Sequence, residues 1–183
     1  MRALLAFVSI AALAGCSTGP DPKTAPPRAA PSPPPPAVAP AVPAKPVASN
    51  WEDWPATAGD WVYRQDKRGS IALFGPSGGD AVFAARCDRE LRRIYLTRSG
   101  QFPVGETGKM TIRATSGLQS YTATNTGGTP PLVAADLAVS DPHLDAMAFS
   151  RGKFIVVVKG ADDLAIPSWP ELTRVVEDCR AAS

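Results

Sequence analysis

The chain has 183 residues, with 19 lysines and arginines against 17 aspartates and glutamates, 20 prolines, three cysteines and one histidine. That length suits one domain with appendages. The near balance of charge excludes the basic footprint of a general nucleic-acid binder, and a lone His143 excludes a metal site built on two imidazoles. The small basic surplus sits early: Arg2, Lys23, Arg28 and Lys45 precede position 51, so residues 51–183 hold 15 basic and 16 acidic groups.

Residues 1–16 read MRALLAFVSIAALAGC, a positive charge at Arg2, an apolar run from Ala3 to Leu13, then small residues before a cysteine. The run is shorter than the roughly 20 apolar residues that span a bilayer and has the proportions of a secretory signal, removed in the mature protein. Leu13-Ala14-Gly15-Cys16 resembles a bacterial lipobox. That resemblance implies removal of residues 1–15 as a lipoprotein signal peptide, a diacylglycerol on the Cys16 sulfur and a further acyl chain on its amine. Two or three chains anchor far more persistently than one, at about 0.8 kcal/mol per buried methylene. Ser17 after the cysteine, where an aspartate would signal retention at the inner membrane, implies by the same resemblance the outer membrane, facing the periplasm.

Residues 16–50 follow as a tether. Positions 17–50 hold 12 of the 20 prolines, including Pro33 to Pro36, among Ala, Ser, Thr and Val. Such a stretch lacks the bulky apolar residues of a core and is expected to be extended and polyproline-like, at about 3.1 Å per residue and at most roughly 100 Å long. Recognition of Pro33 to Pro36 by an aromatic groove is the functional alternative to a plain spacer.

Residues 51–183 carry the fold. Short apolar segments between turn residues predict a mainly β domain, an antiparallel β-sandwich or one strongly twisted sheet, with strands at 60–65, 70–74, 81–87, 91–97, 109–115, 119–123, 132–139 and 153–159. Gly75 to Asp80, Asp88 to Glu90, Ser116-Gly117 and Asn125 to Pro131 supply the breaks. Alternation puts Phe83, Ala85 and Cys87 on one side of a strand, Ile94 and Leu96 on one side of the next, and Met110 and Ile112 on one side of the fifth. Phe154 to Val158 is apolar on both faces, which predicts the central strand. A short helix is expected from Asp141, with Pro142 in its first turn, to about Ser150. A second helix is expected from Trp169 to about Arg180, opened by a Ser168/Glu171 capping box. Leu172, Val175, Val176 and Cys179 make one stripe on its face, so this C-terminal helix packs on the sheet with Cys179 buried.

With Cys16 assigned to lipid, Cys87 and Cys179 remain, both pointing into the core in a compartment that favours oxidation. A Cys87–Cys179 disulfide is expected, closing about 90 residues and stabilising by roughly 4 to 5 kcal/mol in the chain-entropy picture. Two buried free thiols are the alternative. No Cys-x-x-Cys spacing points to redox chemistry.

Arg86-Cys87, then Arg93-Ile94-Tyr95-Leu96, Met110-Thr111-Ile112-Arg113, Phe154 to Val158 and a helix ending in Cys179 follow an order that resembles the small periplasmic β-sandwich proteins typified by invasion-associated locus B proteins and VasI-like accessory proteins of type VI secretion. The resemblance spans Ala81 to Cys179. It implies a non-enzymatic envelope or accessory role and no catalytic residues; the lipobox, the proline tether and Ser150-Arg151-Gly152 depart from it.

Chemical motifs are sparse. Gly75-Pro76-Ser77-Gly78-Gly79 lacks the Lys-Ser/Thr of a phosphate loop. His143 lies two residues from both Asp141 and Asp145, a spacing that points side chains to different sides of a helix, so a triad with Ser140 or Ser150 is not expected. Asp136, Asp141, Asp145, Asp162 and Asp163 show no calcium-loop spacing. Nothing in the sequence implies a metal or a cofactor. The patch that stands out is Arg86, Arg89, Arg92, Arg93 and Arg98, with Tyr95 among them. Arg92, Arg93, Tyr95 and Arg98 are the candidate surface for a partner or ligand, an anionic polymer such as lipopolysaccharide or peptidoglycan. The competing expectation is that these arginines pair with acids of neighbouring strands. Trp51, Trp54 and Trp61, joined by Trp169, are read as clamps on the core, with a ligand platform as the lesser alternative. The expected function is that of a non-enzymatic, membrane-anchored envelope lipoprotein whose tethered domain meets an envelope protein partner; the alternative is a binding module for an anionic envelope polymer.

Overall fold

A computed structural model describes residues 50–181, so the expected signal peptide, Cys16 and the expected tether before Asn50 lie outside the described residues. A 3-10 turn, Trp51–Asp53, leads into β1 (Asp60–Asp66), β2 (Gly69–Gly75), β3 (Phe83–Asp88), β4 (Arg93–Ser99), β5 (Gly108–Ala114), β6 (Gly117–Asn125) and β7 (Leu132–Ala138). Then come α1 (Pro142–Ala148), β8 (Lys153–Val158), β9 (Leu164–Pro167) and α2 (Pro170–Ala181). All nine strands pair antiparallel in one sheet, in the order β1-β2-β3-β4-β7-β6-β5-β8-β9. Of the two architectures left open by the sequence, the single twisted sheet is the one present: it curls into a half-barrel, and α2 lies on its concave side against β1 to β4.

Period-two alternation decides which side chains enter that hollow. Phe83, Ala85 and Cys87 from β3, Ile94 and Leu96 from β4, Met110 and Ile112 from β5, and Phe154, Val156 and Val158 from β8 are all buried there. Leu172, Val175, Val176 and Cys179 fill the hollow from α2, the stripe predicted by their helical spacing. Trp61, Phe74, Phe83 and Phe154 form a chain of tilted and edge-on ring contacts through the core, with centroids 5.4 to 6.1 Å apart.

Three expectations need correction. The apolar strand is not central: β8 lies next to the end of the sheet, beside the four-residue β9 that the sequence did not reveal. Both its faces are apolar because the core takes one and Trp51 and Trp54 cover part of the other, where Ile155 is only 2% exposed. The β3–β4 reversal is longer than expected. It keeps Leu91 outside the strand and exposed, and places Arg92 at φ 51°, in the left-handed region. The capping box on α2 does not form. Pro170 occupies the first helical position, so Trp169 takes the cap place and Ser168 stands one residue too early. The Ser168 Oγ and Glu171 Oε2 atoms consequently have no hydrogen-bond partner. At α1 the expected signals hold: the Asp141 carboxylate accepts the His143 backbone N–H at 2.8 Å and Pro142 opens the helix.

Cys87 and Cys179 are brought together in disulfide geometry, their Cα atoms 5.4 Å apart across 92 residues of sequence. β2 approaches this point closely through Gly69, at φ 149°, where a Cβ would stand 2.6 Å from the Cys87 carbonyl oxygen. The same helix is fastened a second time: the Tyr63 hydroxyl donates to Asp178, and Arg174 stacks 4.0 Å above the Tyr63 ring.

Candidate functional site

The arginine-rich strands β3 and β4 lie in the middle of the first half of the sheet, and their outward side chains form a grid with β1, β2 and β7. Tyr95 sits between Arg86 on β3 and Asp136 on β7 in the register. On this face Arg93 donates from Nε to Asp136 at 2.6 Å, and Arg86 reaches past β2 to Asp66 at 2.8 Å. Arg68, in the β1–β2 turn, donates to Asp88 at 2.8 Å. The Arg86 guanidinium, with help from the backbone N–H groups of Arg68 and Gly69, holds the Asp66 carboxyl below the usual carboxylate range. The Leu91 N–H and then Arg68 do the same for Asp88. The cations of this face are thus largely answered by neighbouring acids, at the modest energy of exposed pairs.

Of the four residues expected to form a ligand surface, Arg93 and Tyr95 face outward and Arg92 sits in the exposed turn, but Arg98 does not belong to the surface. It follows Ile94 and Leu96 in the inward alternation, is 2% exposed, and extends across the hollow. Its Nε donates to Ser99 O at 2.8 Å, and its terminal nitrogens donate to Asp162 O at 2.9 Å and Val156 O at 3.4 Å. A guanidinium presents five donors in a rigid fork, which fits a cluster of carbonyls at a strand end. Burial pulls its pKa below the usual arginine value, opposed by the charges of Asp163 and Asp162. Arg98 therefore ties β4 to β8 and to the turn before β9.

The histidine is part of the packing at α1. Its Nε2 lies 3.1 Å from Ile112 O, and its ring tilts against Tyr121 at 6.4 Å between centroids. Tyr121 donates to the Asp141 carboxylate at 3.1 Å, and burial followed by that acid's charge raises the phenol pKa well above its ordinary value. Ser150 is buried and committed elsewhere: its hydroxyl donates to Lys153 O at 2.5 Å and accepts the Thr115 N–H at 3.0 Å. The hydroxyl that could have served as nucleophile thus closes the turn between α1 and β8. Among the described residues no three of His, Cys, Asp and Glu gather in a metal-binding arrangement.

The tryptophans divide. Trp61 is a core residue, 6% exposed, whose Nε1 donates to Pro167 O at 2.9 Å and so links the two end strands of the curled sheet. Trp51 and Trp54 border a groove on the outer side of β5, β6 and β8. Trp169 is 42% exposed and lines, with Ala148 and Arg174, a shallow groove where α1 ends and α2 begins; Phe149, next to Ala148, is 73% exposed. The sequence reading missed Phe149. The helical spacing of Leu144, Met147 and Ala148, all buried, could have found it, because Phe149 falls off that stripe.

Comparisons with protein-family models, with characterised proteins and with solved structures return no match. The resemblance to the invasion-associated locus B and VasI-like proteins therefore rests on cysteine placement and strand order alone.

Proposed function

We propose that this chain is a non-enzymatic envelope lipoprotein: a β domain held on a proline-rich tether from acylated Cys16, facing the periplasm from the outer membrane, and docking a protein partner at the α1–α2 junction. The observation that carries the docking reading is the pair of large aromatic side chains left in solvent there, Phe149 at 73% and Trp169 at 42% exposure, beside a groove of about 570 Å³. Apolar and aromatic groups that a core could have taken, but that stay outside it, mark contact surfaces. The Cys87–Cys179 geometry supports an oxidising compartment, since a bridge there persists only away from cytosolic reductants. The alternative, an anionic polymer on the Arg93 and Tyr95 face, has no observation in its favour, because Arg98 is inside the hollow and Arg93 is paired with Asp136.

The anchor is tested by metabolic palmitate labelling and fractionation of the full chain. The native chain should carry label and sediment with membranes, and Cys16→Ala should lose the label. Label that survives the substitution contradicts the anchor.

A further inference from the structure

The outer surface of α2 is patterned as regularly as its buried stripe. Pro170, Arg174, Glu177 and Ala181 recur at i, i+4, i+7 and i+11, all exposed, on the side opposite Leu172, Val175, Val176 and Cys179. Arg174 and Glu177 line the groove of about 570 Å³ between α1 and α2, and Trp169 stands at its start. The charged residues beside this stripe are engaged within the chain: Arg180 pairs with Asp145 at 2.7 Å, and Asp178 accepts from Tyr63. The two on the stripe are not. Arg174 stacks 4.0 Å above the Tyr63 ring but meets no acid, and the Glu177 side chain makes no hydrogen bond or ion pair among the described residues. Although three residues apart, the two do not pair with each other.

A surface that binds a second copy of itself must carry its own complement, because a two-fold axis brings residue i against j and j against i. The centre of this stripe falls between Val175 and Val176. When two α2 helices lie antiparallel about that point, Arg174 of each copy faces Glu177 of the other, and Pro170 faces Ala181. The ends of the stripe are short and uncharged, so the helices can approach closely. Trp169, one position before the helix, falls over the Ala181 end of the other copy and supplies the aromatic contact. A parallel arrangement would set Arg174 against Arg174 and Glu177 against Glu177. A partner of one sign would answer one of these charges and repel the other, and a wholly apolar partner would take both out of water without a counter-charge.

We infer that the α1–α2 junction docks a second copy of this chain, through an antiparallel, two-fold pairing of the outer faces of α2 in which Arg174 and Glu177 exchange partners across the axis. The inference deepens the reading of this junction as a docking surface and rests on it, but it does not rest on the lipid anchor.

The test uses two full-length copies with different epitope tags, produced in the same cells, with Phe149→p-benzoyl-phenylalanine in one of them. Irradiation should join position 149 to α2 of the other copy in a product that carries both tags. Arg174→Glu in both copies leaves two acids on each stripe and should lower the yield of that product about tenfold. Glu177→Arg in both copies leaves two arginines on each, breaks no hydrogen bond or ion pair of Glu177 within its own chain, and should lower the yield to the same extent. Arg174→Glu in one copy with Glu177→Arg in the other restores opposite charges across the axis and should return the native yield, a result that misfolding of either variant could not give. No doubly tagged product, a product indifferent to both reversals, or reversals that fail to rescue each other when mixed would overturn the inference. Position 149 joined only to other proteins would overturn it while leaving the docking reading in place, and silence at position 149 would remove both.

Discussion

The outer face of β3, β4 and β7 and the junction of α1 with α2 carry the two most conspicuous groups of side chains on the domain, and the two groups are treated in opposite ways. On the sheet face the charges are plentiful, yet Arg93 meets Asp136, Arg86 meets Asp66, and the neighbouring Arg98 is drawn inside to three carbonyls. At the helix junction the features are few, yet Phe149 and Trp169 stay in water. A cluster of charges in the sequence marks a place where the fold can satisfy itself, because neighbouring strands supply partners at fixed register. An aromatic residue that falls off its helix stripe has no such remedy, and it is the better pointer to an outside partner.

The largest expected effect bears on the scaffold that holds both regions. Replacing Cys87 and Cys179 by alanine should destabilise the domain by about 2 to 5 kcal/mol. Thiol titration of the denatured, unreduced protein provides the direct check, since two reactive thiols in residues 51–183 would show that the pair is not bridged. Because α2 contributes Trp169 at its start, loosening this helix should also weaken the aromatic junction while leaving the Arg93–Asp136 pair in place.

Within the arginine group the effects should separate sharply. Arg98→Ala removes the donor shared by the Ser99, Val156 and Asp162 carbonyls and empties the buried place of the guanidinium, and should cost about 3 kcal/mol in chemical denaturation. A loss below about 1 kcal/mol would mean that the guanidinium is solvated at the end of the hollow instead of tying β4 to β8. The smallest effect belongs to the exposed pair. A double-mutant cycle on Arg93→Ala and Asp136→Ala should return a coupling of about 0.2 to 1 kcal/mol that fades in high salt. A coupling well above that range would show that the sheet face is tied together more strongly than an exposed grid allows.

Much of the fold was legible in the sequence because its signals are local. Alternation assigned the inward faces of β3, β4 and β5, helical spacing assigned the buried stripe of α2, and those two assignments together paired Cys87 with Cys179. What escaped depends on distant partners. β9 is four residues long, ends in Pro167 and gains its second neighbour from Thr57, more than 100 residues away, so no local pattern announces it. The two apolar faces of β8 suggested a central strand, and the true cause, cover from Trp51 and Trp54, lies equally far off in the chain. Arg98 is a different case. Its alternation with Ile94 and Leu96 pointed inward, but its charge argued for the surface; the carbonyls that make burial tolerable become visible only in three dimensions. For the candidate surface, residue type drew attention to the arginines, whereas position on the helix would have drawn it to Phe149.

The contrast between the two regions is tested most directly by site-specific photocrosslinking in intact envelopes. A p-benzoyl-phenylalanine is placed at Phe149 in one strain and at Tyr95 in another, each in the full-length chain. A discrete protein adduct from position 149, lost on Trp169→Ala, with none from position 95, is the predicted result. A protein or glycan adduct from position 95 with position 149 silent would contradict it and return the binding surface to the arginine face.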